Sequence, residues 1–205
     1  MNFVLAMVLA AALPNVPQSG ANAEAFVPKG WTIESQLDGS LVTATSKDKV
    51  LVLLADEGQG DRARALVVLK GEKSGFSLLG SNVGLLPCHS CMGVKGGDGA
   101  PELSIEKRVL VISQYGGSRE YYGSTHRLRV EKEGLRVIGV DHSSGDSLTL
   151  ESSLVSENLL NGAVVEETNP AIPEGSNDQP PTKKTRKKRP VKPLPKLEDL
   201  KEYGG

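Results

Sequence analysis

Two cysteines carry the most specific chemistry in this 205-residue chain. Cys88-His89-Ser90-Cys91 is a C-x-x-C pair. In an oxidising compartment such a pair closes into a disulfide. Where the first thiol is acidified, it also exchanges disulfides with other molecules. A thioredoxin-like site needs the motif at the start of a helix that follows a βαβ strand. Here Leu85-Leu86-Pro87 precede it and glycine-rich turns follow, with no helix in prospect. That context predicts a structural disulfide pinning a loop. Closing so short a loop stabilises toward the low end of about 2–4 kcal/mol. Haem attachment needs histidine directly after the second cysteine, and Met92 stands there.

Other combinations of reactive residues are weaker. Cys88, Cys91, His126 and His142 are zinc-ligand types, but the histidines lack ligand spacing and oxidation would remove the thiolates. Ser118, His126 and Asp141 are the residue types of a hydrolase triad without a G-x-S-x-G elbow. Asp141-His142-Ser143-Ser144-Gly145 has turn chemistry. The run Gly93 to Gly99 lacks the Lys-Ser/Thr that a phosphate loop requires. The sequence therefore predicts no catalytic cluster, no metal and no cofactor.

One charge cluster stands out: Lys183, Lys184, Arg186, Lys187, Lys188 and Arg189. From Thr168 onward nine basic and five acidic side chains leave a net +4, against −5 for residues 24–167. An acidic domain with a basic tail is the electrostatic plan. No aromatic is interleaved to stack on bases, so nucleic acid is not expected. The partners that fit are an anionic lipid, a polysaccharide or an acidic protein of the cell envelope.

The envelope enters through the N-terminus. Phe3 to Leu13 is apolar, Pro14 follows, and Ala21-Asn22-Ala23 is a small-x-small triplet. This is the layout of a secretory signal over residues 1–23, with cleavage before Glu24 and no Lys or Arg ahead of the apolar run. The run is shorter than the roughly 20 residues of a membrane span, so none is expected after cleavage. A periplasmic or secreted location follows.

Residues 24–167 read as one all-β domain. Trp31 to Ser35, Leu41 to Thr45 and Val50 to Ala55 are the first three predicted strands. Asp56 to Asp61 is a loop, and Ala65 to Lys70, Gly75 to Leu79 and Ser104 to Ser113 are further extended runs. His126 to Glu131 alternates, Lys132-Glu133-Gly134 turns, and Leu135 to Val140 returns, with Leu128 and Val130 inward and Arg127 and Arg129 outward. Ser143 to Asp146 is a predicted turn and Leu148 to Leu150 a strand. The expected architecture is an antiparallel meander, either a small β-sandwich or a propeller-like sheet. Residues 168–205, rich in proline and lysine, read as a disordered or extended tail that cannot bury enough apolar area to order itself.

Several short segments together carry a family resemblance. They are Phe26 to Trp31, Val50 to Leu53, Cys91 to Asp98, Ile112 to Ser118 and Asn158 to Gly162. In this succession the chain resembles uncharacterised exported bacterial proteins distantly related to FG-GAP (integrin-α-like) β repeats. The resemblance implies a β fold and an exported location, and no activity. Relatives often carry a calcium-loop pattern before the early strand; of its carboxylates only Asp38 and Asp48 stand here, the second flanked by Lys47 and Lys49. Calcium is therefore not expected at that loop. The functional expectation is an exported, non-catalytic β module that binds an envelope component. The alternative is a periplasmic thiol-disulfide protein using Cys88 and Cys91.

Overall fold

The computed structural model describes residues 15–56, 61–173, 178 and 180–201. The apolar run of the predicted signal and part of the Asp56 to Asp61 loop lie outside the described residues.

Two antiparallel sheets form the molecule; the second is a meander, and the first is a four-strand meander with one short strand added out of order at its edge. The first has the order β1-β5-β4-β3-β2, from β1 (Ser19–Gly20), β2 (Trp31–Gly39), β3 (Asp48–Ala55), β4 (Arg64–Glu72) and β5 (Gly75–Asn82). The second follows chain order from β6 (Glu102–Glu106) through β7 (Val109–Gly117), β8 (Glu120–Glu131), β9 (Gly134–Asp146), β10 (Ser152–Asn158) and β11 (Ala163–Asn169) to β12 (Lys183–Lys188). Helical structure among the described residues amounts to one turn, α1 (Gly93–Gly96), and two short 3-10 turns, Glu24–Phe26 and Leu197–Asp199.

The composition of each sheet follows from how many faces it buries. Strands β3 and β4 are continuous apolar runs because both of their faces are covered. Val50, Val52, Leu66 and Val68 point into the space between the sheets, where they meet Leu110, Ile112, Leu128 and Val137. Leu51, Leu53, Val67 and Leu69 point the other way and pack with Phe26, Trp31 and Ala23. The second sheet alternates because its outer face is wet. Leu128 is buried between the sheets while the side chains of Arg127 and Arg129 stay partly exposed.

The sequence misplaces three local features. Leu41 to Thr45 is a turn rather than a strand: the buried Asp48 carboxylate takes the Leu41 and Val42 amides at 2.7 and 2.9 Å, replacing a ladder partner. Ser143 to Asp146 is the end of β9 rather than a turn. The chain reverses instead at Leu148 to Leu150, where Asp146 accepts from the Leu148 and Thr149 amides. The Ser104 to Ser113 run is broken by Lys107 and Arg108, both left-handed (φ 50° and 67°), which is hairpin-turn geometry without glycine or asparagine.

Both termini of the described chain are built into the fold. Ser19–Gly20 pairs with β5, Leu78 donates to the Gln18 carbonyl at 3.0 Å, and Ala23 is buried. Cleavage before Glu24 would remove all three. At the other end, composition predicts a disordered tail. In the structure Lys183–Lys188 lies antiparallel along β11, and Leu197 is wholly buried between the sheets. Asn82 Nδ2 fastens this return by donating to the carbonyls of Leu197 (2.6 Å) and Leu200 (2.9 Å). The contacts of this segment are the open edge of β11 and one apolar anchor.

Candidate functional site

The cysteine pair lies on the loop between β5 and β6, at disulfide distance with its Cα atoms 5.3 Å apart. Cys88 is half-buried and Cys91 exposed. A helical turn does follow the motif, contrary to expectation, but α1 is only four residues long. Beneath the loop sits Arg64, with none of its surface exposed. Its Nε and Nη2 donate to the two carboxylate oxygens of Glu34 at 2.5 and 2.7 Å. Its Nη1 reaches the carbonyls of Asp98 (2.9 Å) and Pro87 (3.4 Å), and Nη2 meets His89 Nδ1 at 3.2 Å. Since guanidinium only donates, Nδ1 accepts and the His89 proton sits on Nε2. One buried cation thus ties both ends of the loop to the first sheet.

The zinc combination does not assemble. The acid that comes within 4.8 Å of both sulfurs is Asp61, not a histidine. His126 and His142 instead face each other, ring centroids 6.3 Å apart and edge to face. Burial first, and the neighbouring His142 second, push the pKa of His126 down to about 4. The triad combination also disperses. Strand alternation puts His126 and Asp141 on opposite faces, because Asp141 pairs with Thr125. Asp141 accepts from Arg127 (2.7 Å) and Ser156 (2.7 Å), and these outweigh its burial to hold its carboxyl below the usual range. Ser118 lies in the turn before β8, about 26 Å of extended chain from His126. Of the acids in the calcium-loop comparison, Asp38 pairs with Lys49 and Asp48 is buried among amides.

The basic cluster forms the edge strand β12, and part of its charge is spent within the molecule. Lys184 pairs with Glu167, Lys187 with Glu166 at 2.7 Å, and Arg189 with Glu157. Lys187 in turn holds the Glu166 carboxyl below its ordinary value. Lys183, Arg186 and Lys188 lie exposed on the same strand.

An open groove with aromatic, acidic and hydroxyl side chains lies elsewhere, where the ends of β8, β9 and β10 come together. Tyr115 and Tyr121 meet there on one face of the sheet, and Tyr122, next on β8, points to the other. Tyr115 and Tyr122 are 46% and 41% exposed, high for rings of this size. The rings of Tyr115 and Tyr121 stand 5.7 Å apart. Tyr121 lies across Gly145, its partner on β9, where a Cβ would collide with the ring. Beside it opens a groove of about 510 Å³ lined by Tyr121, Tyr122, Glu120, Asp146, Glu151 and Ser153. Arg119 first, then the Leu148 amide, keep the Asp146 carboxyl below its usual range, so it is ionised at neutral pH. Lys95 of α1 reaches one of the lining residues, Tyr121. Its Nζ stands 4.7 Å over the Tyr121 ring and donates to Ser147 Oγ at 2.9 Å. Sequence reasoning missed this groove. Its one local signal was that tyrosines 115, 121 and 122 crowd into eight residues of an aromatic-poor chain.

Comparison with protein-family models, with curated proteins and with solved structures finds no match to this chain. The molecule is defined by its own features: two packed antiparallel sheets, a clamped C-x-x-C loop and a tyrosine-lined groove. Among the described residues no helix is long and apolar enough to cross a membrane.

Proposed function

We propose that this protein is an exported, non-catalytic β module that binds a neutral polysaccharide in the tyrosine groove. The observation that carries the reading is the pairing of the exposed Tyr122 ring and the half-buried Tyr121 with carboxylates and hydroxyls in one open cleft. Sugar C–H faces pack on aromatic rings, while their hydroxyls donate to acids and serines. Three acids in the lining, Glu120, Asp146 and Glu151, disfavour an anionic lipid or an acidic protein. Export rests on the apolar run, Pro14 and the Ala21-Asn22-Ala23 triplet. A distant relationship to FG-GAP β-repeat proteins belongs to the same proposal and adds no activity to it.

The thiol-disulfide alternative is weaker on physical grounds. An exchanging cysteine needs a stabilised thiolate. The helical turn that follows the pair, α1, is only four residues long and supplies no helix N-terminus to stabilise one.

Titration of the full chain with cellohexaose, xylohexaose and mannohexaose, followed by amide chemical shifts, tests the binding reading. Saturable shifts at Tyr121, Tyr122 and Ser153 that vanish in Tyr122→Ala support it. Absence of saturable shifts with all three sugars overturns it.

A further inference from the structure

The groove and the cysteine pair are joined by a very short piece of chain. Met92 follows Cys91 directly and is buried. Its carbonyl accepts from the Gly117 amide at 2.7 Å, at the tip of the β7–β8 hairpin. Its sulfur accepts from the Tyr122 hydroxyl at 3.8 Å. Three residues on, Lys95 sits over Tyr121 and bonds Ser147. Residues 92–95 therefore back two of the groove's lining residues, Tyr121 and Tyr122, and Cys91 is where that backing segment begins.

The other end of the link is constrained by the disulfide. Cys91 is tied to Cys88 by the S–S bond and by its amide to the Cys88 carbonyl at 3.2 Å. Ser90 between them is left-handed (φ 68°), a conformation that disfavours a residue with a Cβ. Release of the bond would let Ser90 relax and swing Cys91 through Lys95, whose residues other than Met92 lie exposed. The base of the loop would stay in place, because Arg64 holds Pro87, His89 and Asp98 without help from sulfur. Reduction is thus a local event in this architecture, not an unfolding one.

We propose that the Cys88–Cys91 bond is a redox switch on the tyrosine groove, closed in the oxidised state with Lys95 seated over Tyr121 and opened by reduction. This rests on the groove being the binding site. The reductant is a dithiol. One of its thiolates attacks the exposed Cys91 sulfur, the S–S bond breaks, and Cys88 leaves and takes a proton. The dithiol's second thiol then resolves the mixed disulfide, so that Cys91 gains a hydrogen and the reductant becomes a disulfide. Two electrons and two protons pass to the protein.

The test compares the oxidised full chain, the same chain in dithiothreitol, and Cys88→Ser/Cys91→Ser. Without any sugar, reduction should move or broaden the amide resonances of Gly117, Tyr121 and Ser147 while leaving Leu51 and Val67 of the core unchanged. Unchanged groove resonances, or global unfolding on reduction, would overturn the switch whether or not a sugar binds. For whichever of the three hexasaccharides binds, reduction should weaken affinity about fivefold, the scale of one exposed cation–π contact. Lys95→Gln should weaken the oxidised form similarly and shrink the redox difference below about twofold, because the two changes remove the same contact. An undiminished redox difference in Lys95→Gln would overturn the role of Lys95. If no sugar binds, the polysaccharide reading fails alone and the amide shifts still decide the coupling.

Discussion

Arg64 and Glu34 meet in a two-pronged ion pair, Nε to one carboxylate oxygen at 2.5 Å and Nη2 to the other at 2.7 Å, beneath a loop that is otherwise open to water. The arginine side chain is wholly buried and the glutamate about one-fifth exposed, so little water screens the pair. The same guanidinium holds two carbonyls and an imidazole of the C-x-x-C loop. Arg64 therefore couples the first sheet to the functional loop.

Arg64→Met should destabilise the protein by about 3–5 kcal/mol, because it leaves the Glu34 charge and two carbonyls without their donor. Glu34→Gln should cost less, since its amide oxygen still accepts and the loop carbonyls keep Arg64. Urea unfolding of both variants checks the order; equal losses would show that the carbonyl contacts are idle.

Acid should weaken the fold through His126 before it reaches the carboxylates. Its folded pKa of about 4 lies below the unfolded value of 6.5, so the unfolded chain binds the proton first. Stability from this group is complete above pH 6.5 and falls between pH 6.5 and 4, by about 3 kcal/mol at most. Asp141, whose folded pKa is also depressed, loses its contribution only at lower pH, below its ordinary value of 3.8. Unfolding curves of the wild type and His126→Phe between pH 7 and 4 measure the slope. The variant should be nearly flat in that window; an equal slope would place the acid sensitivity elsewhere.

What the sequence revealed was what repeats locally. Alternation in His126 to Glu131 and Leu135 to Val140 identified the β8–β9 hairpin and its faces, because one side of that sheet is wet. Continuous runs at Val50 to Ala55 and Ala65 to Lys70 identified β3 and β4 as strands, though not the second buried face that explains them. Turn positions were misjudged where one aspartate captures several amides. Asp48 and Asp146 look alike in composition whether they end a strand or begin a loop. The groove was hidden because its members come from three strands and the turn between two of them, and Lys95 reaches Tyr121 only after the sheet has formed. For the same reason the basic cluster read as free charge, its partners Glu157, Glu166 and Glu167 lying some twenty to thirty residues away.

The N-terminal segment makes a separable contribution. A chain beginning at Asn15 keeps β1, the Gln18 carbonyl and the packing of Val16 and Ala23 against the second cluster. One beginning at Glu24 loses them and uncovers part of Phe76 and Leu78. The burial involved is worth about 1–3 kcal/mol, a few degrees in thermal midpoint for a domain of this size. Scanning calorimetry of the two chains compares them. Equal midpoints would show that residues 15–23 are dispensable and compatible with removal before Glu24.

The C-terminal segment should owe its attachment to one leucine more than to its charges. Leu197 is wholly buried between the sheets, and the two carbonyls that Asn82 holds flank its turn. Truncating a buried leucine removes its transfer energy and leaves a cavity, at a cost of about 2–5 kcal/mol. The ion pairs of Lys184 and Lys187 join half-exposed lysines to part-exposed glutamates, and such pairs are worth about 0–1 kcal/mol each and less in salt. Leu197→Ala should therefore lower the urea midpoint clearly and release β12 to fast amide exchange. Lys184→Gln/Lys187→Gln should leave the midpoint nearly unchanged while removing most of its salt dependence. If the double lysine variant is the more damaging one, charge rather than packing holds the strand, and the cluster has less positive potential to offer an outside partner.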